Sequence, residues 1–301
     1  MNNKSMLSAA LDFGLLVDHI EPDGEIHRVS TSDKPGAKNG WYLAFPDKIV
    51  MVLGNWKTGL GYTYKEDGYC LTPPQKRAIT QARNNAKKEK VRLQTQTASY
   101  ARQTYKGASE VAVHPYLTSK GLDSADGLKM VKDQLLVPLV NLVTQQVENL
   151  QRIFPDGAKR FLKHGRITGL CCPCGFIDSE WPAQIEKIFI CEGYATAATI
   201  YQMTQQPVLA AMNANNLLSV AKLAQKKWPG VEIVIVGDDD WLTEQKSGIN
   251  PGRAKANEAA NQLGLNVSFP PFSPEQKKAG LTDWNDYYLV ANGGLRDDQY
   301  C

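Results

Sequence analysis

The sequence predicts an α/β fold, with a parallel sheet at the carboxyl terminus that helices cover on both faces. Two apolar or β-branched runs, Ile188–Cys191 and Val231–Val236, have the composition of buried strands. Each run ends in acid, because Glu192 follows the first and Asp238, after one glycine, follows the second. Helical patterns separate these strands from further strand patterns, which is typical of βαβ units.

The rest of this carboxyl-terminal part, residues 183–301, follows the same alternation. A polar loop is expected at Trp241–Gly252. Because the carboxyl ends of parallel strands meet at one crevice, the two acidic turns should lie together there. The other expected elements are helix Ala195–Met203, strand Val208–Ala211, helix Leu217–Trp228, helix Arg253–Leu263 and strand Val267–Phe269.

Residues 1–72 predict a small amino-terminal α+β module. A short helix at residues 5–17 precedes four strand patterns separated by turns. Trp41 and Trp56 lie among basic residues, and aromatic faces beside cations can stack single-stranded bases and neutralise phosphates. In so small a module the same rings can instead form the core. The strand patterns are Ile26–Val29, Trp41–Phe45, Val50–Leu53 and Gly61–Tyr64.

Residues 73–107 predict a basic helical connector. From Gln75 to Lys106 the chain contains neither Gly nor Pro, and Glu89 is the single acid among many Lys and Arg residues. The apolar stripe of this helix is thin. Such a helix is either a solvated connector or lies along a charged partner.

Residues 108–182 predict a β-rich basic subdomain. Gln134–Leu142 and Val147–Phe154 are strand patterns, and Pro138 is expected at an edge or a bulge. Pro155-Asp156-Gly157 signals a hairpin. Basic side chains, Lys159 and Arg160 among them, cluster beside this hairpin, where they either bind a polyanion or are simply solvated.

Three cysteines, Cys171, Cys172 and Cys174, raise the question of zinc. Adjacent cysteines on a strand point to opposite faces, and no second ligand pair follows at the spacing that structural zinc requires. Zinc is therefore not expected, and the role of the three thiols stays open. Reduced thiols fit a cytoplasmic location.

The acidic turns predict a site for a hard cation. Asp238 and Asp240 are two residues apart, so in an extended segment they point the same way, while Asp239 points elsewhere and should be dispensable. Crowded carboxylate oxygens suit Mg²⁺ or Mn²⁺ bridging to phosphates. Acids after a strand also commonly cap the next helix. The helix opening at Arg253 and Lys255 is either a triphosphate site or an ordinary helix start.

Three motifs occur in an order that resembles Toprim domains. The motifs are Glu192-Gly-Tyr-Ala-Thr-Ala197, Asp238-x-Asp240 and Thr282-Asp-Trp-Asn-Asp286. The first is similar to the form found in primases of plasmids and satellite phages, the TraC-like primases. Weaker similarity extends upstream through Gly157–Leu162 and His114–Leu117 to the amino-terminal module.

This resemblance implies a DNA primase, a nucleotidyltransferase that makes short RNA primers on single-stranded DNA from ribonucleoside triphosphates. It implies two Mg²⁺ ions held by Asp238 and Asp240, with Asp283 or Asp286 as a further ligand. Glu192 would bind metal or move a proton. Lys159 and Arg160 would hold template and nucleotides, as would Arg253 and Lys255.

Two other functions remain open, a Toprim nuclease that hydrolyses phosphodiesters and a non-catalytic protein that binds single-stranded DNA. The chain contains no Gly-x-x-x-x-Gly-Lys-Ser/Thr loop, so either a replicative helicase acts in trans or the chain is a fragment. The formal net charge is +3, and no apolar run reaches the length of a membrane span. With no signal-peptide pattern either, we expect a cytoplasmic protein without a membrane partner.

Overall fold

In the computed structural model, residues 5–46, 49–56, 60–66, 70–122, 127–175 and 185–293 are described. Contacts divide the chain into two compact units, Met1–Lys90 and Val91–Cys301. The four-part division expected from the sequence stays a prediction. None of the helices within the described ranges is long and apolar enough to cross a bilayer.

The first unit contains an antiparallel sheet of five strands, and the amino-terminal helix packs against it. The strands lie side by side in chain order. The amino-terminal helix is shorter than predicted, because Gly14 adopts a positive φ of 91° after it and the next two residues pair with the sheet. The elements are α1 (Met6–Asp12), β1 (Leu15–Leu16), β2 (Ile26–Thr31), β3 (Gly40–Ala44), β4 (Val50–Asn55) and β5 (Gly61–Lys65).

A long helix, α2 (Pro73–Lys106), confirms the uninterrupted helical pattern. The division between the two units falls within this helix. Ile79 packs in a cluster with Trp41, Val50 and Val52 of the first unit. Further along, Ala101 is fully buried against residues of the second unit.

The second unit is built on a continuous mixed sheet. Its path is β10-β9-β8-β11-β13-β12-β14-β15, with β6 and β7 added beside β8. Its first elements are β6 (Ser109–Glu110), α3 (Pro115–Ser119), β7 (Lys129–Val131), β8 (Gln134–Asn141), β9 (Val147–Ile153), β10 (Lys159–Phe161) and β11 (Leu170–Cys174). The later elements are β12 (Lys187–Cys191), α4 (Tyr194–Thr204), β13 (Val208–Ala210), a 3₁₀ turn (Ala214–Asn216), α5 (Leu217–Lys227), β14 (Glu232–Val236), α6 (Trp241–Ser247), α7 (Pro251–Leu263), β15 (Asn266–Ser268), α8 (Pro274–Lys278) and α9 (Trp284–Ala291).

The predicted parallel sheet is confirmed for β13, β12, β14 and β15, which pair in parallel. Helices cover both of its faces. Residues of α4 pack in one apolar cluster, and residues of α5 and α7 pack in another on the opposite face. Alternate residues of β12 and β14 divide between the two clusters, as a buried parallel strand requires.

The β-rich segment and the parallel sheet share β11. This strand pairs antiparallel with β8 on one side and with β13 on the other. Cys171 packs in one apolar cluster, while Cys172 and Cys174 pack in the other, so the expected opposite orientation of adjacent cysteines is confirmed. All three are buried free thiols.

Pro138 lies within an interior strand rather than at the edge of the sheet. On one side β7 pairs with β8 only as far as Leu136, and β11 begins to pair at Val140. On the other side the register shifts between Leu139 and Val140. The ladder is therefore irregular beside Pro138, where a missing N–H costs little.

The predicted loop at Trp241–Gly252 is wrong, because α6 occupies its first part. Asp240 is the N-cap of α6 and Gly248, in the left-handed region, ends the helix. The sequence interpretation also did not include α8 and α9. Both begin with a capping box, formed by Ser273 with Gln276 and by Asp283 with Asp286.

Candidate active site at the carboxyl edge of the parallel sheet

Two neighbouring strands carry Glu192 and Asp238 to the same edge of the sheet. Cys191, the last residue of β12, is paired with Val236, the last residue of β14. Glu192 is the next residue after β12, and Asp238 is the second residue after β14. Both acidic turns therefore lie at one edge of the sheet, as expected from parallel strands, while the chemical role of each acid stays a prediction.

The loop after β14 is held against the start of α7. The N–H of Gly252 donates to Asp240 Oδ2 at 2.8 Å. A Cβ on Gly252 would lie 2.7 Å from the backbone oxygen of Asp238 and 2.9 Å from Asp240 Oδ2. Only glycine therefore allows α7 to approach both acids this closely.

Asp283 reaches the same place through a backbone link between two loops. The N–H of Asp239 donates to the carbonyl oxygen of Thr282 at 2.7 Å. Asp283 follows directly and caps α9, accepting from the N–H of Asp286 at 2.8 Å. The Asp286 carboxylate accepts in return from the N–H groups of Thr282 and Asp283. Both acids thus serve as caps, and their metal-binding roles stay predictions.

Asp238 has an electrostatic environment that disfavours its charge. Burial is the largest cause, and the nearby Asp283, Glu192 and Asp240 carboxylates add to it, raising the pKa of Asp238 to about 8. Its Oδ1 is buried and has no hydrogen-bond partner among the described residues. A buried carboxylate oxygen left without a donor is a position that a cation would satisfy.

Glu192 and Asp283 have pKa values shifted in the same direction. Burial raises the pKa of Glu192, with Asp240 adding to the effect and a backbone hydrogen bond from Ala214 opposing it. Burial and the Asp286 charge raise the pKa of Asp283. No three of the acids at this edge have ligand atoms within 4.8 Å of one another. The carboxylates therefore raise one another's pKa without forming a compact cluster of three.

Basic residues also face these acids: the ammonium of Lys120 lies 3.9 Å from Asp286 Oδ1, and β10 contributes Lys159. The Lys159 ammonium lies over the ring of Tyr116, 5.0 Å from the ring centre. Although the residue as a whole is exposed, desolvation of the ammonium lowers the pKa of Lys159, and Asp283, Glu192 and Asp238 oppose that shift. Arg160 points to the other side of β10, where its guanidinium lies 5.5 Å from the centre of the Phe154 ring.

The two basic residues at the start of α7 are paired elsewhere. The guanidinium of Arg253 contacts both carboxylate oxygens of Asp239, at 2.7 Å and 3.0 Å, and lies over the Phe269 ring. Lys255 is partly exposed and its ammonium is 2.8 Å from Glu258. Their proposed contact with a triphosphate stays a prediction.

Comparison with known proteins identifies the domain that carries these acids. Residues 187–293 match the family model described as a Toprim domain. The chain carries a Toprim domain. Two curated proteins from Escherichia coli, both named DNA primase TraC, are 35% and 32% identical to the chain over 267 and 269 residues. The matches cover 85% and 86% of this chain, but 25% and 18% of the relatives, so the chain spans a quarter or less of their length.

The predicted resemblance to TraC-like Toprim primases is confirmed by these two matches and by the domain. Among solved structures, the primase fragment of the bacteriophage T7 primase-helicase protein is 16% identical, with a TM-score of 0.42. The similarity covers 64% of this chain and 78% of that chain.

Asp239, between the two acids of the Toprim Asp238-x-Asp240 motif, is buried. Its side chain is 1% exposed and is paired with Arg253 and Lys277, while the expectation that it is dispensable stays a prediction. Arg253 is the largest cause that lowers the pKa of Asp239 to about 2. The alternation of an extended segment correctly separates Asp239 from its neighbours, but it does not show that a buried ion pair lies on the other side.

The two tryptophans of the first unit have different environments. Trp41 is 8% exposed and packs in the apolar cluster with Val50 and Val52, which does not leave its face free for a base. Trp56 is partly exposed, and the guanidinium of Arg28 lies 5.6 Å from its ring centre. The core alternative therefore describes Trp41, and base stacking stays a prediction for Trp56.

Sequence reasoning also missed Asn250 and Tyr116. Asn250 is buried, caps α7 and accepts from the N–H of Asp240 at 3.0 Å. The Asn-Pro-Gly order at residues 250–252 is a helix-start signal that could have identified it. The Tyr116 hydroxyl is buried beneath Lys159 without a partner among the described residues.

Proposed function

We propose that this chain is the catalytic core of a DNA primase, which joins ribonucleotides into short primers on single-stranded DNA. The observation that carries the proposal is the meeting of Glu192, Asp238 and Asp283 at one edge of a Toprim sheet. Similarity to proteins named DNA primase over most of the chain supports the reaction class.

The acids fit a divalent cation, Mg²⁺ or Mn²⁺. Their donors are all oxygen, the Oδ1 atom of Asp238 lacks a partner among the described residues, and several carboxylates repel one another there. Asp238 and Asp240 would hold the cations, with Asp283 or Asp286 as a further ligand. When bound, such cations neutralise charge on the triphosphate and favour ionisation of the primer 3′-hydroxyl.

Protein side chains would perform the other functions of the site. Lys159 faces the acids from β10 and would bind the phosphates of the incoming nucleotide. The pKa of Glu192 is raised, so this side chain would either bind a cation or accept the proton that leaves the 3′-hydroxyl. The basic helix α2 would lie along the template, and a replicative helicase would act in trans.

The experiment is a primer-synthesis assay on mixed single-stranded DNA templates with labelled ribonucleoside triphosphates. Wild type should give short RNA products that require a divalent cation, and Glu192→Gln should reduce their yield by at least about 100-fold. Glu148→Gln is the matched control, because it breaks a partly buried ion pair with Arg166, and neither residue is among the charges that shift the pKa of Glu192, Asp238 or Asp283.

The products separate the competing functions. Shortened DNA without ribonucleotide incorporation, lost in the same Glu192 variant, would indicate a nuclease. Binding of single-stranded DNA that needs no cation, with no product on any template, would indicate a non-catalytic binding protein. Either result would overturn the primase proposal.

A further inference from the structure

A buried ion-pair network surrounds Asp239, between the two acids of the Toprim motif. Arg253 contacts both of its carboxylate oxygens, and the ammonium of Lys277 lies 3.0 Å from Oδ2. The Nδ2 group of Asn250 donates to Oδ1 at 2.8 Å. Every oxygen of this buried carboxylate is therefore paired, which is the condition under which a buried charge is tolerated.

The same network reaches the backbone on both sides of Asp239. Asn250 accepts from the N–H groups of Asp240 and Arg253 through one oxygen. The N–H of Asp239 is bound to Thr282, the residue before Asp283. Three parts of the chain are thus fastened to one point: the loop after β14, the start of α7 and the loop before α9.

Charge separation is a second consequence. The N–H of Gly252 donates to the Asp240 carboxylate, and the next residue in the chain is Arg253. The Arg253 side chain therefore starts directly after the residue that binds this acid. Asp239 holds the Arg253 guanidinium and the Lys277 ammonium on its own side. If the charge of Asp239 were removed, both cations would lose their partner beside a group of carboxylates that attract them.

We propose that Asp239 is a positioning residue for the Asp238 and Asp240 carboxylates. It fixes the loop that carries them and keeps two protein cations from competing with the metal. The inference rests on the proposed function, because it assigns the acids a cation to bind. It concerns a residue between the two motif acids whose carboxylate is already paired with Arg253, Lys277 and Asn250.

The test measures Mn²⁺ binding to the full chain by electron paramagnetic resonance, in the absence of nucleotide and DNA. The variants are Asp239→Asn, which keeps the shape of the side chain, and the control Glu148→Gln. Both remove one carboxylate of an arginine ion pair in the same unit. We expect both to lower the melting temperature, and only Asp239→Asn to weaken Mn²⁺ binding, by about 10-fold or more.

Equal Mn²⁺ affinity in the two variants would overturn the inference, as would a wild type that binds no Mn²⁺. If Asp239→Asn does not fold, Asn250→Ala decides the question, since it removes the hydrogen bonds to Asp239 Oδ1 and to the N–H of Asp240 without changing any charge. It should weaken Mn²⁺ binding in the same direction, and an unchanged affinity would contradict the proposal. A wild type that binds Mn²⁺ but makes no primer would instead contradict the proposed function alone.

Discussion

The backbone N–H of Asp239 lies 2.7 Å from the carbonyl oxygen of Thr282 and donates a hydrogen bond to it. This bond joins the loop after β14 to the loop before α9, although 43 residues separate the two positions in the sequence. Asp238 and Asp283 flank the two bonded residues. Their proximity explains why Asp283 is the first charge, after burial, that raises the pKa of Asp238.

Asp238→Asn should stabilise the cation-free protein at alkaline pH. The folded-state pKa of Asp238, about 8, lies above its ordinary value, so the folded protein binds the proton more tightly than the unfolded chain. Wild-type stability should therefore fall as pH rises through the folded pKa. The gain from the variant should be on the order of a few kcal/mol in the free energy of unfolding.

Urea denaturation in chelator, from about pH 5 to about pH 9, measures this difference. The two proteins should be closest at the acidic end and diverge toward the alkaline end. Added Mg²⁺ should recover much of the lost stability in wild type and little in Asp238→Asn. Parallel pH profiles in chelator would contradict the raised pKa.

Gly252→Ala should impair primer synthesis by displacing the two motif acids. The added methyl group would lie 2.7 Å from the backbone oxygen of Asp238, which cannot move without moving the loop. A displacement of this kind costs up to about 100-fold in rate. The control is Gly107→Ala, whose nearest neighbour would be the Gln103 oxygen at an ordinary 3.5 Å.

Steady-state primer synthesis, with melting temperature measured in parallel, checks the glycine prediction. The rate should fall far more in Gly252→Ala than in Gly107→Ala at similar stability. Equal rates would show that the contact of α7 with the acidic loop does not position the acids.

Lys159→Met should weaken nucleotide binding more than Arg160→Met. The two residues are neighbours on β10 with similar charge, but Lys159 faces the acids and Arg160 lies against Phe154 on the other side. Loss of a charged hydrogen bond to phosphate corresponds to about 10-fold or more in KM. Measuring the KM for a ribonucleoside triphosphate in both variants checks this prediction. A larger increase in KM for Arg160→Met would contradict the assignment of Lys159 to phosphate binding.

The two tryptophans of the first unit should separate stability from nucleic-acid binding. Trp41→Ala should cost about 3 to 5 kcal/mol of that unit's stability, because it empties a buried position. Trp56→Ala should cost less stability but weaken binding to oligothymidylate by about 10-fold, if its ring stacks a base. Fluorescence anisotropy measures the binding, and unchanged affinity in Trp56→Ala would exclude stacking there.

Much of the Toprim sheet could be predicted because its strands are buried on both faces and read as nearly continuous apolar runs. The strands carrying Glu192 and Asp238 are examples, and their parallel pairing follows from the helices between them. By contrast, the pairing of β11 with both β8 and β13 depends on long-range contacts that local pattern does not encode.

The site could be predicted in part for the same reason. Spacing separated Asp239 from the two motif acids, but burial and the pairing with Arg253 and Lys277 arise from α7 and α8, distant in sequence. Helix α6 was missed because polar residues beside glycine resemble a loop, whereas Asp240 and Gly248 are its caps. Strand alternation alone predicts that Lys159 and Arg160, as neighbours on β10, lie on opposite sides of that strand.

The central claim is that the acids at the ends of β12 and β14 share a divalent cation. Anomalous X-ray scattering from crystals soaked in Mn²⁺ tests it most directly. The account predicts a manganese peak bound by Asp238 together with Asp240, Glu192 or Asp283, and no such peak in Asp238→Asn crystals. Well-ordered crystals of the wild type with no manganese at these carboxylates would contradict it.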